Sequence, residues 1–198
     1  MGSLSQAKTL GGIGSILTLL LLVPYFVGAA LVIIGWVLIL LAVKNISDAV
    51  KDRSIFNNTL IAAALAIIGT LVFALVVASA VLGFIGLGNL SSVGPSVPPS
   101  DVIGLIAGLI TGLAIAWVLG VVGSYFLWKS FKVVGEKSNV KLFGTAGLIF
   151  FIGSILTIIL VGFVVTFIAQ ILFIVAFFSL PENVPASTQP PQTMGSTM

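Results

Sequence analysis

Four stretches of this 198-residue chain carry no charged side chain: Thr9–Val43, Ser54–Ser100, Val102–Trp128 and Leu142–Pro181. A helix crossing the hydrocarbon core of a bilayer needs about 20 apolar residues, and each stretch meets that length. With 59% hydrophobic and 7% charged residues and a mean hydropathy of +1.32, the chain cannot supply the surface of a soluble domain, which is roughly a quarter charged. The fold class is therefore all-α, a polytopic transmembrane helical bundle.

The net charge of +3 comes from eight Lys and Arg in short connecting segments. That is where a membrane protein carries the charge that orients it. No basic stripe with interleaved aromatics is present, so nucleic acid is not an expected partner. The absence of Cys and His removes the usual ligands of haem, iron–sulfur clusters and zinc. It also removes nucleophilic cysteine and histidine acid–base chemistry. No cofactor, metal site or catalytic residue is expected, and the chain reads as non-enzymatic.

Thr9–Val43 would be about 52 Å long as one helix, well beyond a ~30 Å core. Pro24-Tyr25 divides it, because proline lacks an amide donor and disfavours helix at the residue before it. The first span is expected near Leu10–Val23, starting before Lys8, and the second near Val27–Val43. Lys8, the apolar run and Val27-Gly28-Ala29-Ala30 also resemble a signal peptide, but we read the segment as a retained span. The third span runs from about Ile55 to Leu82 and the fourth from Val102 to Trp128. Between them lies the Ser/Pro/Gly loop 89–100, and charged connectors occupy 44–54 and 129–141.

The hexapeptide IGSILT occurs at Ile13–Thr18 and again at Ile152–Thr157. Aligned on it, the last apolar stretch becomes a second hairpin, with spans near Phe143–Val161 and Val164–Leu180 and a turn at Gly162-Phe163. A rival alignment matches Lys8, Gly11 and Gly14 to Lys141, Gly144 and Gly147. Duplication and low complexity both remain open. Six spans follow, with five as the alternative. The Pro/Ser/Thr-rich tail 181–198 lacks Lys and Arg like the outer loop, and that favours five.

Every Lys and Arg lies in the N-terminal segment or the two connectors, so these face the cytoplasm and 89–100 faces out. Asn89-Leu90-Ser91 then matches a glycosylation sequon on the outer side, used or unused alike on sequence grounds.

The fourth span carries Gly104, Gly108, Gly112, Ala116, Gly120 and Ser124 at four-residue spacing, and the third carries Ala62, Ala66, Thr70, Ala74 and Ala78. Helices associate in lipid through close backbone approach, which small residues permit. We expect these antiparallel neighbours to pack ridge to ridge, closest at Gly112. Trp36 and Trp117 lie mid-span and read as packing residues; Tyr25, Tyr125 and Trp128 mark interfaces. No ionisable residue lies within a span. The deepest polar side chains are Gln170 and the hydroxyls Ser15, Thr18, Ser154 and Thr157, and an interhelical hydrogen bond is the plainer role for Gln170. Asp48 and Asp52 read as solvated ion pairs with Lys44, Lys51 and Arg53.

AKTLGGIGSIL followed by LAVKNISDAVKDRSIFNN resembles the start of an archaeal membrane-protein family, domain of unknown function 996. LFGTAGLIFFIGSILTIILVGF and AFFSL resemble its C-terminal region. The segment between them and the tail carry no such resemblance. The resemblance implies an archaeal cell-membrane protein and carries no activity or site residue. The function expected is that of an accessory or scaffolding component acting through helix contacts, with membrane lipids and other membrane subunits as partners. A carrier or channel for a neutral or lipidic solute is the alternative, and a polar cavity lined by Gln170 and the hydroxyls would favour it.

Overall fold

The computed structural model describes residues 4–20, 26–91 and 99–185. Six α-helices follow one another: α1 (Leu4–Leu19), α2 (Phe26–Ala49), α3 (Arg53–Ser91), α4 (Pro99–Ser138), α5 (Leu142–Leu156) and α6 (Val161–Phe178), with a 3-10 turn at Thr157–Ile159 between the last two. There is no strand among the described residues. Five helices are long and apolar enough to cross a membrane. The sixth, α1, has 16 residues and a length of about 24 Å. The Pro24-Tyr25 turn lies outside the described residues.

Helix runs into both charged connectors and into both edges of the Ser/Pro/Gly loop. α2 continues to Ala49 and α4 to Ser138, while α3 takes in Asn89–Ser91 of the loop and α4 starts at Pro99. Only short caps remain. Lys51, at φ 55°, takes the left-handed conformation as the Asp52 amide reaches back to the Ser47 carbonyl at 3.0 Å, a Schellman ending for α2. Asp52 then caps α3: its Oδ1 accepts from the Ser54 amide at 3.0 Å, the work of an N-cap carboxylate. This gives Asp52 a structural role in place of the expected ion pair. Asn139 (φ 60°) ends α4 in the same left-handed region.

The second hairpin turns at Leu160, φ 64°, two residues before the expected Gly162-Phe163. Gly162 is instead the first point of contact between the helices, its α-carbon set against the backbone of Gly153, Leu156 and Thr157. Both copies of IGSILT sit in the first helix of a hairpin, each with its glycine facing the second. Gly14 meets Gly35, and Gly153 meets Thr166 and Gly162.

The chain divides into two compact units, residues 1–63 with 124–198, and residues 64–123. In the first, one buried cluster gathers Leu4 and Ala7 from the start of α1, Val43 and Ile46 from the end of α2 and Ile55 from the start of α3. Phe131 and Val134 near the end of α4, Phe143 at the start of α5 and Phe177 and Leu180 at the end of α6 complete it. The first ends of the odd helices and the last ends of the even ones thus meet. Within this unit Leu4 and Leu180 lie at the same end. Phe131 anchors the cluster, with ring centroids 4.8 Å from Phe173 and 5.6 Å from Phe143.

The second unit is a two-helix hairpin whose only charged residue is Asp101. Its exposed face is large and apolar: Ile67, Leu71, Leu75, Leu82, Ile103 and Ile110 are each more than half exposed. Its buried positions are small, Gly69, Ala80 and Gly112 among them. A soluble hairpin has the reverse arrangement. In lipid it is stable, because helix association there depends on backbone proximity and the apolar side chains already have a compatible solvent.

Candidate functional site

In the first unit, α1 crosses α2 where Gly14 faces Gly35. A methyl added to either glycine would stand 2.7 Å from the other's carbonyl oxygen. The same bare surface on Gly35 seats Thr18, whose Cγ2 would lie 2.9 Å from that methyl. On another side of α1, Gly11 and Gly12 lie against the rings of Phe177 and Phe178, which brings α6 close. These contacts put Ser15 and Thr18 of α1 beside Gln170 of α6.

Together they line a small cavity, with Trp36, Phe150 and Phe173 among its other walls. About 20 Å³ of it is open to the centre of a water molecule. No acidic or basic side chain lines it. Ser15 lies 11 residues from Leu4 and Gln170 ten residues from Leu180, so both stand about 15 Å along the helices from the charged end. That is roughly half the ~30 Å hydrocarbon thickness.

The hydrogen bonding here is incomplete. Thr18 donates its hydroxyl to the Ser15 carbonyl at 2.8 Å, and its oxygen lies 3.5 Å from Gln170 Oε1. A hydroxyl has one proton, and the shorter bond takes it. The Ser15 residue is 1% exposed, and its Oγ meets no hydrogen-bond partner among the described residues. Leaving a buried hydroxyl unsatisfied costs about 1–3 kcal/mol. Its counterpart in the second hexapeptide is satisfied, since Ser154 donates to the Phe150 carbonyl at 2.8 Å. Of the deep polar residues singled out in the sequence, Ser15, Thr18 and Gln170 converge, and Ser154 and Thr157 do not line the cavity. Trp36 lines it, and Trp117 is partly buried in the other unit.

The small-residue ridges fall differently from the straight lines expected. Gly112 is buried against the Val76 side chain, Gly83 lies partly buried against Leu105, and Gly69 is buried where an added methyl would stand 3.5 Å from Leu119 Cβ. Each step of seven along α3 is met by a step of seven back along α4, the heptad spacing of a coiled-coil seam. Every one of these pairs sets a glycine opposite a larger side chain. Gly104, Gly108 and Gly120 are exposed, and among the described residues nothing beyond their own stretch of helix lies within 4 Å of where a Cβ would stand. Thr70, Ala74 and Ala78 are exposed as well, Ala66 and Ala116 are partly buried, and Ala62 and Ser124 are buried in the first unit. A run at four-residue spacing turns by about 40° per step around a helix of 3.6 residues per turn, so it winds away from any straight partner. Asn89 lies in the last turn of α3 instead of in a loop.

A polar contact between α3 and α4 was not anticipated. Ser130 Oγ donates to the Ile55 carbonyl at 2.7 Å and lies 2.7 Å from Thr59 Oγ1, and both residues are fully buried. Its sequence signal is weak, two hydroxyls 71 positions apart near the charged ends of apolar helices.

The family described as protein of unknown function, DUF996, matches residues 31–171. The match runs through the central segment between the two resembling regions. An uncharacterised protein of the archaeon Methanocaldococcus jannaschii is 40% identical over 182 residues, covering 91% of this chain and 94% of that protein. No solved structure matches. With most of its length inside the family's match and a full-length relative at this identity, the chain belongs to the DUF996 family.

Proposed function

We propose that this is a non-enzymatic integral membrane protein that works through helix contacts, as an accessory or scaffolding component of a membrane assembly. The observation that carries the reading is the exposed glycine surface of α4. A Cβ added at Gly104, Gly108 or Gly120 would meet no other group among the described residues, yet each glycine costs a helix about 1 kcal/mol relative to alanine. A compensating gain then comes from outside the chain, where a second transmembrane helix can approach a bare backbone closely. The proposed orientation puts the N-terminal end in the cytoplasm, and what supports it is charge: all eight Lys and Arg lie close in sequence to residues of the cluster that joins Leu4 to Leu180, and positive residues favour the cytoplasmic side.

The test is purification from native membranes in mild detergent, comparing the natural chain with Gly104→Leu and Gly108→Leu. The expected result is a co-purifying membrane protein that the substitutions release while the thermal midpoint holds. A midpoint that falls with no partner lost in either case overturns the reading. A carrier for a neutral solute is the second reading, favoured by the cavity at Ser15, Thr18 and Gln170. With room for about one water, that cavity falls far below the ~300–1,000 Å³ of ordinary ligand sites, so the carrier stands second.

A further inference from the structure

We propose that the cavity between α1 and α6 is a binding site for one water-sized, uncharged hydrogen-bonding molecule, water itself being the occupant at rest. Three observations converge on it. The first is size: about 20 Å³ is open to a water's centre, where one water needs on the order of 10–15 Å³. The second is the unpartnered oxygen of Ser15, buried on a residue that lines the space. Ser138, Ser154 and Ser179 each donate to the carbonyl four residues back, and Ser15 does not.

The third is Gln170. Among the described residues its hydrogen bonding is limited to the 3.5 Å contact with Thr18, and the Thr18 proton is already engaged with the Ser15 carbonyl at 2.8 Å. The amide therefore keeps both an acceptor and donors for another partner. A single molecule that donates to Gln170 Oε1 and exchanges a hydrogen bond with Ser15 Oγ satisfies both groups. Two to four polar partners are what a buried water needs. The absence of any charged side chain from the walls makes the site neutral, so an ion would lose its hydration without a counter-charge. The aromatic walls, Trp36, Phe150 and Phe173, keep the rest of the space apolar. The inference holds for a scaffold and for a carrier alike.

Radiolytic footprinting of the full-length protein in detergent tests it, because an X-ray pulse converts a bound water to a hydroxyl radical that oxidises what it touches. Phe173 and Phe143 are both buried, at 4% and 0% exposure, and Phe173 lines the cavity while Phe143 does not. Phe173 is expected to gain oxygen several-fold faster than Phe143. Equal rates mean a dry cavity and overturn the proposal. In Gln170→Leu the Phe173 rate should drop toward that of Phe143, and a rate that stays high places the water elsewhere and overturns it too. If the variant does not fold, the comparison within the natural protein decides alone.

Discussion

Gly14 and Gly35 meet backbone to backbone, each occupying the space into which the other's side chain would project. The obstacle to a methyl on either is a carbonyl oxygen at 2.7 Å, and a carbonyl in a helix cannot swing aside as a side chain can. Gly14→Ala and Gly35→Ala are each expected to destabilise the protein by about 1–3 kcal/mol, the usual cost of overpacking. Thermal unfolding in detergent measures it. Because the two sites touch, the double substitution should cost less than the sum of the singles. Gly108→Ala, with open space around it, should leave the midpoint unchanged or raise it.

The seam of the second unit makes a different prediction. Gly112 is blocked by the Val76 side chain, which truncation can remove. Gly112→Ala should lower the midpoint, and adding Val76→Ala should restore most of the loss. Ala74→Leu, which a straight four-residue ridge would set against Gly112, should have little effect, because Ala74 is exposed. A large loss from Ala74→Leu combined with no rescue by Val76→Ala would refute the seven-residue register.

These glycines show what could be read from the sequence. That α3 and α4 pair and that Gly112 lies in the contact follow from composition and connectivity alone. The register does not, because several small residues on α4 compete for it. Glycine next to glycine is uninformative until the partner's large residues, Val76, Leu105 and Leu119, are placed. The cavity was legible only in its polar members. Its aromatic walls come from α2, α4, α5 and α6, whose mutual placement no local pattern encodes.

Ser130 is the polar link between α3 and α4. Its hydroxyl donates to the Ile55 carbonyl at 2.7 Å and, with that proton engaged, accepts from Thr59, so Ser130→Ala removes both bonds between the helices and leaves the Thr59 hydroxyl to the Ile55 carbonyl of its own helix at 3.0 Å. Interhelical hydrogen bonds in membranes are worth about 0.6 kcal/mol on average and up to about 1.7. Full burial of both partners puts this one toward the upper value. Ser130→Ala should cost about 1 kcal/mol, measured by reversible unfolding in mixed micelles, and Thr59→Val should cost less after Ser130→Ala than in the natural chain.

Leu160 holds φ 64° at the tip of the second hairpin and is 73% exposed. A left-handed residue with a side chain costs about 1–2 kcal/mol relative to its right-handed form, and glycine escapes that cost. So little of the leucine is buried that its packing is a small loss. Leu160→Gly should therefore raise the thermal midpoint, whereas Leu160→Ala should not. A drop with glycine would mean that the tip is held by its side chain.

The last prediction concerns sidedness. The tail's lack of Lys and Arg argued for five spans and the length of the apolar stretches for six. The buried cluster that joins Leu4 to Leu180 returns the tail to the end where the chain begins. The chain has no cysteine, so single introduced cysteines report cleanly. Ser138 is a poor reporter, being 1% exposed and bonded to the Val134 carbonyl at 2.7 Å; its silence would reflect burial. Glu136 is exposed on the same turn. An impermeant maleimide applied to intact cells should label Ser92→Cys and leave Glu136→Cys and Ser187→Cys untouched until the membrane is permeabilised. Labelling of Glu136→Cys in intact cells would invert the orientation. Labelling of Ser187→Cys alone with Ser92→Cys would mean that one helix, α1 being the shortest, does not cross.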